Sequence, residues 1–178
     1  LVDRTARNIA GIVDEDVDVG GVRDEPGDVL ALAQVDDMGG RADLVRRRLV
    51  IDVPASTANL GAGYDCLGLA LDVCNTVAVE AVDGDGGVEL AGTGGGEGEL
   101  PPVRSNRFVA GLEDALEASI GPRPASIGWR IVMHNRIPLS RGMGSSSAAS
   151  VGGVFAGHLL GGRRLTERQQ LQLATALA

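Results

Sequence analysis

Residues 138–150 read PLSRGMGSSSAAS, placing Gly142 and Gly144 directly before Ser145, Ser146 and Ser147. These residue types suit an anion. The first N–H groups of a helix have no intrahelical partner, and the aligned peptide dipoles leave about half a positive charge at that end. Glycine keeps Cβ atoms out of the way of a phosphate approaching the backbone. The three hydroxyls add donors and oxygen ligands for Mg²⁺, and Ala148 and Ala149 keep the following helix slim. A Walker-type loop is excluded because no lysine precedes the serines. The dinucleotide fingerprint is excluded because its third glycine is missing. Taken alone, the run also reads as a Gly/Ser link between a strand and an ordinary helix.

A second polar, glycine-containing stretch, PASTANLGAGYDCLGLALD, occupies residues 54–72. Asn59 and Asp65 are separated by Gly61 and Gly63, so both side chains could face one small pocket. Asparagine offers a donor and an acceptor; an ionised aspartate only accepts and suits an ammonium group. Unaided, the stretch reads as a polar turn. The other candidates have plainer readings. His134 and His158 read as surface or satisfied histidines, Trp129 as core, and Cys66 and Cys74 as buried thiols. His, Cys and carboxylates show no metal-ligand spacing.

The elements that must carry these residues follow from periodicity. Leu49, Ile51 and Val53 alternate with Val50 and Asp52, a strand stopped by Pro54. Residues 76–81 alternate as a second strand, and Val88–Leu90 can pair with it across the turn at 83–87. The run GTGGGEGELPP at 92–102 is a loop by composition. Phe108, Leu112, Ala115, Leu116 and Ile120 have helical spacing, with Ser105 as N-cap and Gly121-Pro122 as the stop. Residues 127–134 form the clearest strand, and a helix runs from Ser145 to Leu160. Thr166, with Gln169 three residues on, opens a last helix still running at Ala178. Residues 28–34 allow a short helix.

Charge is uneven along the chain. Residues 1–45 hold eleven acidic residues against four arginines, and the remaining chain thirteen against twelve. Residues 1–46 therefore read as an acidic, disordered extension and residues 47–178 as the folded domain. Every basic residue is arginine. With 2 % aromatics and no basic stripe, nucleic acid is not an expected partner. The Arg46-Arg47-Arg48 cluster reads as a solvated entry to the sheet. No apolar run approaches the roughly 18 residues of a membrane span, so a membrane is not expected either. Two cysteines are too few for a disulfide framework, and a cytoplasmic location is expected.

Together the two stretches resemble the GHMP small-molecule kinases. PLSRGMGSSSA at 138–148 is similar to that family's phosphate loop. P-x-x-x-A-N-L-G-x-G-Y-D-x-x-G at 54–68 resembles the N-terminal motif of the homoserine kinase branch. The resemblance covers roughly residues 47–178. It implies an α+β GHMP-kinase N-terminal domain, like the second domain of ribosomal protein S5, with a partly antiparallel sheet and helices on one face. It also implies phosphoryl transfer from ATP to the side-chain hydroxyl of L-homoserine, in threonine biosynthesis, with Mg²⁺. On that resemblance Pro138, Leu139, Ser140, Arg141, Gly142, Met143, Gly144, Ser145, Ser146 and Ser147 form the ATP phosphate loop. Ser146 would also reach the metal, Asn106 would sit beside the adenine, and Asn59 and Asp65 would hold homoserine. Arg141 could touch a phosphate or point at solvent. The family's Mg²⁺-binding glutamate, substrate-binding arginine and third glycine-rich motif find no match, which implies a truncated chain without its C-terminal domain. The alternatives are a GHMP kinase of another small alcohol or an incomplete nucleotide-binding fragment. A homodimer is compatible with either.

Overall fold

A computed structural model describes residues 34–35, 48–64, 66–95, 100–162, 166, 168 and 172. The strands are β1 (Gln34–Val35), β2 (Arg48–Ala58), β3 (Gly68–Asp83), β4 (Val88–Gly94) and β5 (Ile127–Asn135). Helix α1 (Arg107–Ile120) lies between β4 and β5, and α2 (Ser145–Leu160) follows β5. The sheet order is β1-β2-β3-β5-β4. β2, β3 and β5 pair antiparallel, and β4 lies parallel to β5.

Alternation along each strand sends one set of side chains to the helices. Leu49, Ile51, Val53 and Ala55 of β2 join Val77, Val79 and Ala81 of β3 and Ile127, Trp129, Ile131 and Met133 of β5 in one core. Helix α1 adds Phe108, Leu112 and Leu116, and α2 adds Ala156 and Leu160. The two helices meet through glycines. A Cβ on Gly153 would stand 2.1 Å from the Phe108 carbonyl oxygen, and one on Gly157 2.4 Å from that of Leu112. Trp129 is fully buried, as expected, and its indole N–H donates to Glu113 at 2.9 Å.

The other sheet face carries charge in register. Arg48, Glu80, Arg130 and Glu89 are successive cross-strand partners and form ion pairs of 3.0 Å each. Arg48 is thus part of the sheet surface, as its expected role at the sheet entry required. The hydrogen bond to Glu89, ahead of that to Glu80, holds the Arg130 pKa above its ordinary value.

Several local expectations are corrected. Pro54 does not end β2, which continues to Ala58 through an irregularity at Pro54/Ala55. Among the described residues β1 reaches only Val50 and Leu49, and a proline is tolerated at such an edge or at an irregularity of the ladder. β3 begins at Gly68, so β2 and β3 together absorb about half of the stretch at 54–72 read as a polar turn. β4 does not pair with β3, because β5 inserts between them. The N-cap of α1 is Asn106, not Ser105, while Gly121 ends the helix as expected, with φ 84°. Cys66 is exposed in the connection between β2 and β3, and Cys74 is half-buried because it lies on the face of β3 opposite the inward row that Asn75 and Val77 share. Burial, with the Asp52 carboxylate second, raises the Cys74 thiol pKa above its ordinary value. Gln34 is in a strand, and the rest of the short helix expected at 28–34 lies outside the described residues. So does most of the extension at 1–46. Of the helix expected from Thr166, Arg168 and Gln172 are helical.

Candidate active site

Two helix N-termini converge on one cleft of about 350 Å³, at the end of the sheet where β5 gives way to the glycine-serine loop. Its apolar wall comes from Val53, Val77, Phe108, Met133, Ala148 and Ala149. Its polar groups are Asn75, Asn135, Ser105, Asn106, Arg107, Ser140, Ser145 and Ser146. The volume and the mixture of walls suit a small organic ligand. Among the described residues that line it, Arg107 is the one charged side chain, and no carboxylate is present.

The two N-termini are treated differently by their sequences. Asn106 caps α1: its Oδ1 accepts from Phe108 N–H at 3.0 Å and Val109 N–H at 3.2 Å. Its Nδ2 approaches Met133 Sδ at 4.0 Å, and the residue is 4 % exposed. Helix α2 starts after Gly144, which has no side chain to cap with, and no described side chain takes its place. The N–H groups of Ser145, Ser146 and Ser147 precede the first intrahelical bond, from Ala148 N–H to Gly144 O at 2.8 Å. An anion at this point meets several donors and the positive end of a 16-residue helix.

The loop is held in an unusual backbone path. Gly142 and Gly144 have φ of 68° and 67°, and Ser140 shares the left-handed region at 56°. At Gly144 the restriction is double, since a Cβ would also stand 2.3 Å from Ser56 Oγ and 3.0 Å from Ser56 O. Ser56 N–H donates to Met143 O at 3.1 Å, so β2 grips the loop from the side. Met143 packs on the core, which anchors the loop between its two glycines.

Of the expected nucleotide residues, Asn106, Leu139, Ser140, Ser145 and Ser146 line the cleft. Pro138, Arg141, Gly142, Met143, Gly144 and Ser147 belong to the loop and the first turn of α2 without lining it, and Arg141 is exposed. Asn59 is exposed, has φ 59° and lies outside the cleft lining. Asp65 falls outside the described residues. His134 bonds Thr93 across the sheet at 3.1 Å, and His158 is buried in α2 with Nδ1 2.8 Å from Ser119 Oγ. Both lie outside the cleft lining. Sequence reasoning missed Asn75, Asn135, Ser105 and Arg107. For the two asparagines there was a signal, because each continues an apolar alternation, Ala81-Val79-Val77-Asn75 and Ile131-Met133-Asn135.

Residues 107–178, from α1 through the loop, match the model of the GHMP kinase N-terminal domain. The homoserine kinase of Corynebacterium efficiens is 46 % identical over 132 residues, 74 % of this chain and 41 % of that protein. Residues 107–178 are a GHMP kinase N-terminal domain. The homoserine kinase of Caldicellulosiruptor saccharolyticus is 38 % identical over 127 residues. Among solved structures, homoserine kinase from Cytophaga hutchinsonii superposes with a TM-score of 0.62 at 30 % identity, over 73 % of this chain and 40 % of that one. Mevalonate kinase from Methanococcus jannaschii shares the fold at a TM-score of 0.53 and 16 % identity. The chain thus spans about two fifths of the length of the relatives it matches.

Proposed function

We propose that this chain is the nucleotide-binding part of a homoserine kinase, transferring the γ-phosphoryl group of ATP to the side-chain hydroxyl of L-homoserine. The observation that carries the reading is the start of α2, which offers backbone donors beside an apolar cleft with no carboxylate among the described residues of its lining. The choice of homoserine is supported by the NLGAGYD run at 59–65 and by relatives that carry that name at 42–46 % identity.

In this reading the Ser145, Ser146 and Ser147 N–H groups hold phosphate oxygens, and Val77, Phe108 and Met133 pack against the base. Asn106 has its Oδ1 committed to the cap, so it acts by fixing the first turn of α1 next to the base. Ser146 supplies one hydroxyl ligand to Mg²⁺, which neutralises phosphate charge when bound. A single protein hydroxyl fits an ion that keeps several waters and phosphate oxygens. Asn59 and Asp65 bind homoserine, with Asp65 on its ammonium group. The homoserine hydroxyl oxygen attacks the γ-phosphorus, the bond to the β–γ bridging oxygen breaks, and the hydroxyl proton is released. ADP and O-phospho-L-homoserine leave. Such a transfer relies on positioning and charge stabilisation, which helix and backbone donors supply. Threonine biosynthesis and a cytoplasmic location belong to the same proposal.

The test joins this chain to the C-terminal part of the Corynebacterium efficiens relative. ADP formation from Mg-ATP is measured with homoserine, mevalonate, galactose and serine. Homoserine-selective turnover is expected, and Asp65→Asn should weaken homoserine binding while leaving ATP binding nearly unchanged. Turnover with another alcohol would replace the substrate and keep the nucleotide site. Silence with all four, together with no ATP binding, would sink the reading.

A further inference from the structure

The inward row of β3 runs Ala81, Val79, Val77 and then breaks its apolar pattern at Asn75, which is 8 % exposed. At this residue the sheet forks. The ladder between β3 and β5 ends at the Thr76–His134 pair, whereas the ladder between β3 and β2 runs on to Gly68–Ala58. Beyond the fork, β5 leaves the sheet to become the phosphate loop. The strand's departing N–H groups need acceptors that the β3 backbone no longer supplies. Asn75 Oδ1 supplies them, accepting from Arg136 N–H at 2.8 Å and Ile137 N–H at 2.9 Å. Arg136 Nε donates to the Cys74 carbonyl at 2.9 Å, and Ile137 is fully buried, so three hydrogen bonds to β3 and a buried side chain hold two successive residues.

We infer that Asn75 is a positioning residue for the phosphate loop: one carboxamide oxygen sets where β5 leaves the sheet and so where the α2 N-terminus meets its anion. The inference rests on the nucleotide reading for its consequence in binding, while the anchoring itself does not.

Two measurements on the full chain test it. Amide hydrogen exchange reads the anchor directly. Asn75→Ala should accelerate exchange through 136–144 and leave the middle of β3 and β5 protected. Asn75→Asp, whose carboxyl oxygens still accept both N–H groups, should restore protection. Calorimetry with ADP and with adenosine reads the consequence. Losing the pair should weaken ADP about tenfold and change adenosine by less than about twofold, since adenosine does not reach the loop. If Asn75→Ala fails to fold, Asn75→Ser, which shortens the acceptor, takes its place with the same expected split. Unchanged exchange at 136–144 would overturn the anchor. An equal loss for ADP and adenosine would overturn loop positioning and make Asn75 a general support of the cleft. A wild-type chain that binds neither ligand counts against the nucleotide reading, and exchange then decides the anchor alone.

Discussion

Gly144 joins three demands at one residue: a left-handed backbone, contact with β2 and a helix start left uncapped. Gly142 shares the left-handed φ, but a Cβ built there meets nothing within 4 Å. The pair therefore separates strain from contact. Gly142→Ala should cost about 1–2 kcal/mol from the left-handed conformation alone. Gly144→Ala adds a clash with Ser56 and must also move the loop off β2. Circular dichroism should show both variants folded, with ATP affinity falling at least tenfold further for Gly144→Ala than for Gly142→Ala. Equal affinities would mean that the contact with Ser56 does not shape the site. Both glycines were legible in the chain as phosphate-loop residues. The Ser56 contact was not, because nothing in a serine 88 positions away marks it as a neighbour. The same limit applied to Asn59 and Ser140. They are the two non-glycine residues with positive φ among those described, one in each motif, and residue type alone does not announce that conformation.

Helices α1 and α2 were readable from spacing and caps to within a residue or two. How closely they approach was not. Gly111, Gly153 and Gly157 look like helix-weakening residues until their neighbours are known. The structure turns them into a contact surface in which backbone faces backbone. Gly153→Ala should raise intrinsic helix propensity and still destabilise the chain by about 1–3 kcal/mol, because a methyl group must enter a filled space. Gly84→Ala, at a turn with nothing within 4 Å of the added Cβ, should change stability by less than about 0.5 kcal/mol. Urea titration of both variants checks this. A stabilised Gly153→Ala would show that the helices can separate at no cost. Strand alternation was equally legible, yet strand order was misjudged. Two strands joined by a short turn are expected to pair, and here β5, arriving 33 residues after β4 ends, inserts between β4 and β3.

At the scale of the molecule, one end of the hairpin stands apart from the core. Leu60, Tyr64, Leu67 and Leu69 are 42 %, 68 %, 60 % and 56 % exposed, all within residues 60–69, which overlap the candidate homoserine motif at 54–68. A cluster of large exposed apolar side chains favours association. The chain on its own should self-associate with rising concentration, and the double substitution Leu67→Ser, Leu69→Ser should suppress this. Light scattering across a concentration series decides. A wild-type chain that stays monomeric would show that the patch is tolerated in water. Asp65 lies in the same segment and Asn59 directly precedes it, so the double variant should also be scored for homoserine turnover in the fused enzyme.

The sequence by itself determined what depends on local chemistry: the two helix spans, the alternating strands, the glycines that admit an anion, and kinship with the GHMP kinases. Tertiary structure alone decided which strands are neighbours, where β5 leaves the sheet and which polar groups reach the cleft. The reason is physical. Helical periodicity and left-handed turns are written in side chains a few residues apart. Strand pairing is made by backbone N–H and C=O groups that all residues except proline carry alike. Asn75 belongs to the second kind, since the two N–H groups it holds lie 61 and 62 residues away and only the folded sheet brings them to its side chain.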